Sequence, residues 1–590
     1  MQATTSVQQE TLRQRLPVIV AILLAACVIL IVRMILFQAP QDPRVAAYVE
    51  QTRNANYGTS RREIAARGTI YDRNGQPLAV NTLQYRIGIS PNLVSDPNRT
   101  IAQLTAILQL DPLNVRNIVY SDNPWELVAT NVIPEKWRQV DQAELGGVNA
   151  EPIPLRYYPQ GALTGQVIGF VGGDRDDFRG YEGIEAYYQD ILAGQTREQQ
   201  VSYIPFDVPQ DDERLLRGSD IVLTLDRDIQ FLAETELLNA LQQYDAASGT
   251  IIVMNPRNGD ILAMVNAPTY DPNNYQAVDD PRLFQNPAVS IPYEPGSVFK
   301  VMTVAAGLEQ GVITPLWTYN DTGTLNVGGR EIRNWDRQAY GVVDVEQILV
   351  NSLNIGAATI AVEQLGMDRF YGTMARFGFG QRTGVDLQGE APGTLKIPNI
   401  DPTWSPSDLG ANSYGQGVAV TPLQMLSAFN AIANGGLMMQ PRIVQQVVAA
   451  DGTITNIEPS ATIRVLSGET SRIVTDMMVT VVENGLDEEA RIPGYTVAGK
   501  TGTAEIPLPT GQYDPNFSIV TFIGFLPADD PQLSILIKLD RPRNGYYASQ
   551  TAAPTFARLA ERLVLMLEIP TDDVRYALAA EGGAIINIDR

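Results

Sequence analysis

Ile291-Pro292-Tyr293-Glu294-Pro295-Gly296-Ser297-Val298-Phe299-Lys300 is the stretch from which the rest of the chain can be read. Pro295-Gly296 breaks the chain, and the run Val301 to Leu308 is apolar, so the pattern predicts a buried helix opening near Ser297. Positions i and i+3 share a helix face, which puts Ser297 against Lys300 and beside N–H groups that a helix start leaves unpaired. A serine needs a base to become a nucleophile. The chain has no histidine, so a Ser-His-Asp triad is excluded and a lysine is the remaining candidate.

An isolated serine-x-x-lysine is a common chance match whose bland reading is a helix cap and a solvated charge. Lysine is scarce here, however. Lys136, Lys300, Lys396, Lys500 and Lys538 are the full set, and of these only Lys300 follows a serine by three residues, while Lys500 opens Lys500-Thr501-Gly502-Thr503.

At 590 residues with 44% hydrophobic side chains, the chain is long enough for two or three domains around large cores. A formal net charge of −23 repels nucleic acid, so no nucleic-acid partner is expected. One cysteine and no histidine exclude an internal disulfide framework and remove the commonest transition-metal ligand. No metal and no cofactor is expected.

In chain order, residues 1–15 are polar and end in Arg13 and Arg15, and residues 16–37 are apolar apart from Arg33, which can snorkel to the interface. This predicts a single uncleaved membrane anchor with a cytoplasmic N-terminus and everything after it exported. A cleaved signal peptide competes, but no small-residue cleavage site follows the apolar run. Leu24-Ala25-Ala26-Cys27 has the look of a lipoprotein box, yet apolar residues follow Cys27, which favours a span cysteine over a lipidated one. Residues 38–218 read as one extracytoplasmic domain of mixed short elements. Asn74-Gly75 predicts a hairpin turn there, and Asp207 to Gly218 reads as a linker. Residues 219–569 form the second domain, with a helix over Arg227 to Tyr244, a hairpin around Pro256-Arg257-Asn258-Gly259, strands near Lys500, Ile519 to Leu526 and Leu533 to Leu539, and a last helix over Thr551 to Leu567. Residues 570–590 read as a weakly ordered tail.

Ser297-x-x-Lys300, Ser352-x-Asn354 and Lys500-Thr501-Gly502, in that order, resemble the active-site-serine acyltransferases that bind penicillin. Arg67 to Val80, Arg156-Tyr157-Tyr158-Pro159, Gly183-Ile184-Glu185 and Asn255 to Ala263 extend the resemblance to class B penicillin-binding proteins, the monofunctional peptidoglycan D,D-transpeptidases. Ser413 to Pro422 is more similar to the septal members than to the elongation ones. The resemblance implies an α/β (α+β) fold: a transmembrane helix, a mixed pedestal of the dimerisation type, and a transpeptidase domain whose antiparallel sheet is flanked by helices.

The chemistry implied is acyl transfer from stem peptides ending in D-Ala-D-Ala through a serine ester. Ser297 is then the nucleophile and Lys300 its base, for which the lysine pKa must fall well below its ordinary value of about 10.4. Lys500 is the nearby cation that helps. Ser352 relays a proton to the leaving D-Ala amine, and Asn354 orients Lys300 and the donor peptide. Lys500, Thr501, Gly502 and Thr503 form the edge that meets the substrate's terminal carboxylate, with backbone N–H groups of Ser297 and Thr503 as the oxyanion donors. Gly415-Gln416-Gly417 is either a tight turn alone or a border of the cleft. β-Lactams should acylate Ser297. The implied partners are a SEDS-family lipid II polymerase and divisome membrane proteins. A D,D-carboxypeptidase or β-lactamase, and a non-catalytic scaffold or lactam sensor, are the competing functions.

Overall fold

The computed structural model describes residues 4–38, 58–63, 65–173, 178–195, 197–202, 217–508 and 512–580. Two compact units divide the chain, residues 1–65 with 195–216, and residues 66–194 with 217–590. In the first, the helix Thr4–Gln38 contains Pro17–Met34, an 18-residue segment of mean hydropathy 2.8. At about 1.5 Å per residue such a segment approaches the ~30 Å of a bilayer's hydrocarbon core. Each of its side chains is exposed, as lipid contact requires. The same unit pairs Gly58–Glu63 antiparallel with Arg197–Ser202.

The second unit is built on a five-stranded antiparallel sheet. Ile261–Ala267 lies at one edge, followed by Ser248–Met254, Leu533–Asp540, Tyr513–Leu526 and, at the other edge, Ala498–Pro507. Successive side chains alternate faces in a strand, and here both faces are dry. Ile252 and Met254 join one core with Val301, Met302 and Ala305, whereas Ile251 and Val253 join another with Leu237 and Phe556. The expected helix over Arg227–Tyr244 and the helix Ala552–Met566 cover that second face. The predicted hairpin turns at Asn255, which accepts from Arg257 N–H, and at Gly259, where φ is +80°.

Pedestal and catalytic regions share backbone. Asp72 accepts the N–H groups of Asn74 and Gln76 to close the Asn74-Gly75 turn between Ile70–Tyr71 and Pro77–Ile89. Ile70–Tyr71 then runs parallel to Asp220–Leu223, which pairs on its other side with Val444–Val448. One seven-stranded sheet therefore crosses the sequence boundary expected near residue 219. Most of the expected linker, residues 207–216, lies outside the described residues. Close approach enforces the crossing: a β-carbon on Gly68 would sit 1.7 Å from Ser219 O.

Three motifs singled out in the sequence converge on one carboxylate in the pedestal. Glu185, 0% exposed, accepts from Arg67 Nε at 2.6 Å and from Arg156 Nε at 2.6 Å. Tyr158, from the Arg156-Tyr157-Tyr158-Pro159 motif, sets its hydroxyl 3.4 Å from the same carboxylate and accepts Val171 N–H at 2.8 Å. Burial, then the Glu185 charge, push the Tyr158 phenol well above its ordinary pKa.

The expectation of a weakly ordered tail needs correction for its first half. Asp572–Ala580 is a helix. Asp572 accepts Thr496 N–H at 2.6 Å and Thr496 Oγ1 at 2.7 Å, and Arg575, 2% exposed, donates to Asp572 and Asp529. The polar Thr571-Asp572-Asp573 docks the start of a helix on Thr496 and Gly494. Residues 581–590 lie outside the described residues.

Candidate active site

Gly296–Phe299 is a 3-10 turn that runs directly into the helix Lys300–Glu309. In a 3-10 turn the side chains at i and i+3 eclipse, and Lys300 Nζ lies 3.0 Å from Ser297 Oγ. The serine thus sits in the tighter turn that precedes the predicted helix. Gly296 has φ +61°, and a β-carbon there would come within 3.2 Å of Ala504 Cβ and Thr503 O. Glycine is needed both for that backbone and for that proximity.

Ser352 stands between the helices Val345–Val350 and Asn354–Thr359 with φ +54°, a left-handed conformation uncommon for serine. Its carbonyl is 2.5 Å and its hydroxyl 3.1 Å from Lys300 Nζ. Lys300 is 0% exposed, and three oxygens surround its nitrogen. A neutral amine has two N–H donors and one lone pair. Three oxygens accommodate the three N–H donors of an ammonium as well as the two donors and lone pair of a neutral amine, so the electrostatics decide. Burial, and then the charge of Lys500, hold the Lys300 pKa well below the ordinary lysine value. Desolvation and the neighbouring charge favour the form that accepts a proton.

Lys500 and Gly502 share one face of the edge strand Ala498–Pro507. A β-carbon on Gly502 would lie 2.7 Å from Pro295 O, so glycine lets this strand close on the nucleophile turn. Lys500 is 0% exposed, which removes the reading of a solvated strand-edge lysine. Burial lowers its pKa, and Asp487, with Oδ2 3.7 Å from Nζ, works against that fall. Thr501 donates its hydroxyl to Asp487 Oδ1 at 2.6 Å and its N–H to Oδ2 at 2.8 Å. Its one hydroxyl proton is therefore already committed. Thr503 differs, since its Oγ1 accepts Ala548 N–H at 3.1 Å and keeps its own proton free.

Ser297, Ser352, Asn354, Thr501 and Thr503 line one open cleft of 560 Å³. Lys300 and Lys500 lie beneath its floor. Asn354 is placed differently from the expectation: its amide donates to Arg333 O at 2.9 Å, and the oxygens around Lys300 Nζ come from Ser297 and Ser352. The short hairpin Thr324–Arg333 draws Asn354 away, so it orients the cleft wall instead of the amine. Gly415-Gln416-Gly417 borders the cleft. Gly296 N–H donates to Gly415 O at 3.1 Å, Gly417 N–H donates to Glu294 Oε1 at 2.9 Å, and Gln416 faces the cavity.

Sequence reasoning missed Asp487 and the aromatic pair Trp335 and Tyr547, whose rings meet edge-on at 5.8 Å over the cleft. No local signal marks Asp487, an acidic residue in the polar Asp487-Glu488-Glu489 after a helix end. Trp335 was findable as one of five tryptophans in the chain.

Residues 249–561 match the family model described as the penicillin-binding protein transpeptidase domain, and residues 62–206 match that of the penicillin-binding protein dimerisation domain. Stage V sporulation protein D of Bacillus subtilis is 35% identical over 502 residues, 83% of this chain and 76% of that protein. The peptidoglycan D,D-transpeptidase FtsI homolog of Mesostigma viride is 29% identical over 535 residues, 85% of this chain and 88% of that one. Among solved structures, penicillin-binding protein 3 of Mycobacterium tuberculosis complexed with aztreonam superposes with a TM-score of 0.67 at 29% identity, covering 87% of this chain and 98% of that chain.

Proposed function

The chain belongs to the class B penicillin-binding proteins, a dimerisation domain followed by a transpeptidase domain, and from that membership we propose how its own residues perform the reaction. It is a membrane-anchored peptidoglycan D,D-transpeptidase that binds β-lactams. The observation that carries the proposed assignment is the contact of Lys300 Nζ with Ser297 Oγ at 3.0 Å and Ser352 Oγ at 3.1 Å, with the lysine fully buried.

Neutral Lys300 takes the Ser297 proton as Oγ attacks the penultimate D-Ala carbonyl of a stem peptide. The developing oxyanion is held by backbone N–H groups of Ser297 and Thr503. Collapse breaks the D-Ala-D-Ala bond, and the proton passes from Lys300 through the Ser352 hydroxyl to the departing amine. An acceptor amine from a second strand then attacks the ester, gives up its proton by the reverse route and restores Ser297. The leaving D-Ala carries the terminal carboxylate. Lys500 supplies charge to it and Thr503 a free hydroxyl donor, with Thr501 acting as a fixed support. Gly502 keeps these groups beside the nucleophile.

The exported side is the side of the catalytic domain, with a cytoplasmic N-terminus, as Arg13 and Arg15 before the span indicate. A septal role, beside a SEDS-family lipid II polymerase and divisome membrane proteins, accords with the likeness of Ser413 to Pro422 to the septal members. Intact-mass spectrometry of the full chain with benzylpenicillin, followed by peptide mapping, tests the nucleophile. One stable adduct on the Ser297 peptide is expected; an adduct elsewhere, or lactam turnover without one, overturns the assignment.

A further inference from the structure

Two lysine amines lie buried in one site, and they differ in one respect. The oxygens within hydrogen-bond reach of Lys300 Nζ are neutral, from Ser297 and Ser352, whereas Lys500 Nζ has the carboxylate of Asp487 at 3.7 Å. Asp487 is itself 0% exposed. A buried carboxylate is costly unless hydrogen-bonded and paired. Here Thr501 N–H, Thr501 Oγ1 and Lys500 together satisfy it.

We propose that Asp487 is the positioning residue that assigns the charge of this site: it keeps Lys500 as the ammonium and locks Thr501, so that Lys300 is left as the neutral amine. This rests on the reading of Ser297, Lys300 and Lys500 given above. Without a counter-ion the two amines would compete for a single proton on nearly equal terms. With Asp487 the competition is settled, and the settled charge on Lys500 in turn disfavours a proton on Lys300. The same carboxylate accepts the Thr501 hydroxyl's hydrogen bond, which leaves the ammonium and Thr503 to meet the substrate's carboxylate.

Neighbouring charges do not duplicate this role. Beside Asp487, Glu488 and Glu489 are exposed, Arg491 is drawn to Glu483 and Glu488, and Arg558 and Arg562 on the last long helix are drawn to Glu236. On the helices packed against that of Lys300, Glu346 is half-buried, Glu363 and Asp368 are exposed, and Asp476 pairs with Arg472 in solvent. Among the described residues, Asp487 is the carboxylate in salt-bridge range of Lys500.

The test is the pH profile of acylation by fluorescent penicillin, measured on the detergent-solubilised full chain for the parent, Asp487→Asn and Asp487→Glu. In Asp487→Asn, Lys500 loses its proton at lower pH, and in the singly protonated site the proton is shared with Lys300, which depletes the reactive form. The alkaline limb should move down by about one pH unit while the acid limb does not rise, and peak acylation should fall about tenfold or more. Asp487→Glu should recover the parent limbs at least in part. Asp487→Ser, which still accepts from Thr501 N–H, carries the same expectation should Asp487→Asn melt without cooperativity. A uniformly slower rate with both limbs in place would mean a merely structural carboxylate and overturn the proposal. Peptide mapping separates the two levels: an adduct on a residue other than Ser297 in the parent removes the underlying reading, whereas unchanged limbs with the adduct on Ser297 remove Asp487 alone.

Discussion

Two buried charge clusters in this molecule each set two basic side chains around a single carboxylate. In the pedestal, two guanidinium groups, Arg67 and Arg156, close on the single carboxylate Glu185, with backbone carbonyls taking further donors: Arg67 bonds Glu185 O and Arg156 bonds Gly68 O. Arginine does not give up its proton in proteins, so this cluster is permanently charged and inert. In the catalytic cleft, two lysines face one carboxylate, Asp487, which lies by only one of them. Lysine can lose its proton when buried. On the proposed mechanism the left-over amine serves as the base. The clusters differ in that the carboxylate of the cleft lies by only one of its two cations and that those cations can titrate.

That contrast can be broken at its reactive end first. Ser297→Ala should abolish covalent labelling by fluorescent penicillin, a loss of about 10⁴-fold or more, while the melting temperature stays within about a degree. Lys300→Met should slow acylation by about 10²–10⁴-fold, the usual contribution of a positioned base; a mild effect, read by stopped-flow labelling, would point to another proton acceptor. At the inert end, Glu185→Ala leaves two buried guanidinium groups without a counter-charge and should cost about 3–5 kcal/mol of stability. Denaturant melts would register that loss, and the acylation rate per folded molecule should not move. Gly502→Ala pushes the edge strand off Pro295 O, at about 1–3 kcal/mol, and should reduce both stability and acylation.

The smallest effect separates the clusters most cleanly because its sign differs. Lys300 has a folded pKa below its unfolded one. Between the two values the unfolded chain binds the extra proton, so stability rises with pH in that window. Methionine binds none. Lys300→Met should therefore melt above the parent at neutral pH, the gap closing as pH rises toward about 10.4, where Glu185→Ala melts below the parent throughout. Equal or lower melting of Lys300→Met at neutral pH would show that the buried lysine contributes more in contacts than it costs in desolvation.

Much of the catalytic region was legible because its signals are local. The apolar period of Arg227–Tyr244, the Asn-Gly turns at Gly75 and Gly259, and the break at Pro295-Gly296 each depend on a few adjacent residues. Ser297 and Lys300 were legible for the same reason, since i and i+3 meet in a 3-10 turn as they do in a helix. The hydrogen bond from the Asn354 amide to Arg333 O was not legible, because that carbonyl belongs to a hairpin 21 residues earlier that hydropathy does not reveal. The tail reads as loose because polarity alone does not distinguish a docked carboxylate such as Asp572 from a solvated end.

By itself the sequence determined the reagents: a serine one turn from a lysine, no histidine to compete, a second lysine ahead of two threonines, and an apolar helix long enough to hold the chain at a membrane. Tertiary structure decided which of those reagents are live. Whether a lysine is a cation or a base depends on solvent exclusion and on a carboxylate that arrives from elsewhere in the chain, and Asp487 reaches Lys500 only because the sheet edge packs on the turn after the helix Gly468–Asn484. Periodicity records which face of an element is dry. It does not record which charges the dry faces bring together, and there the pKa of Lys300 is set.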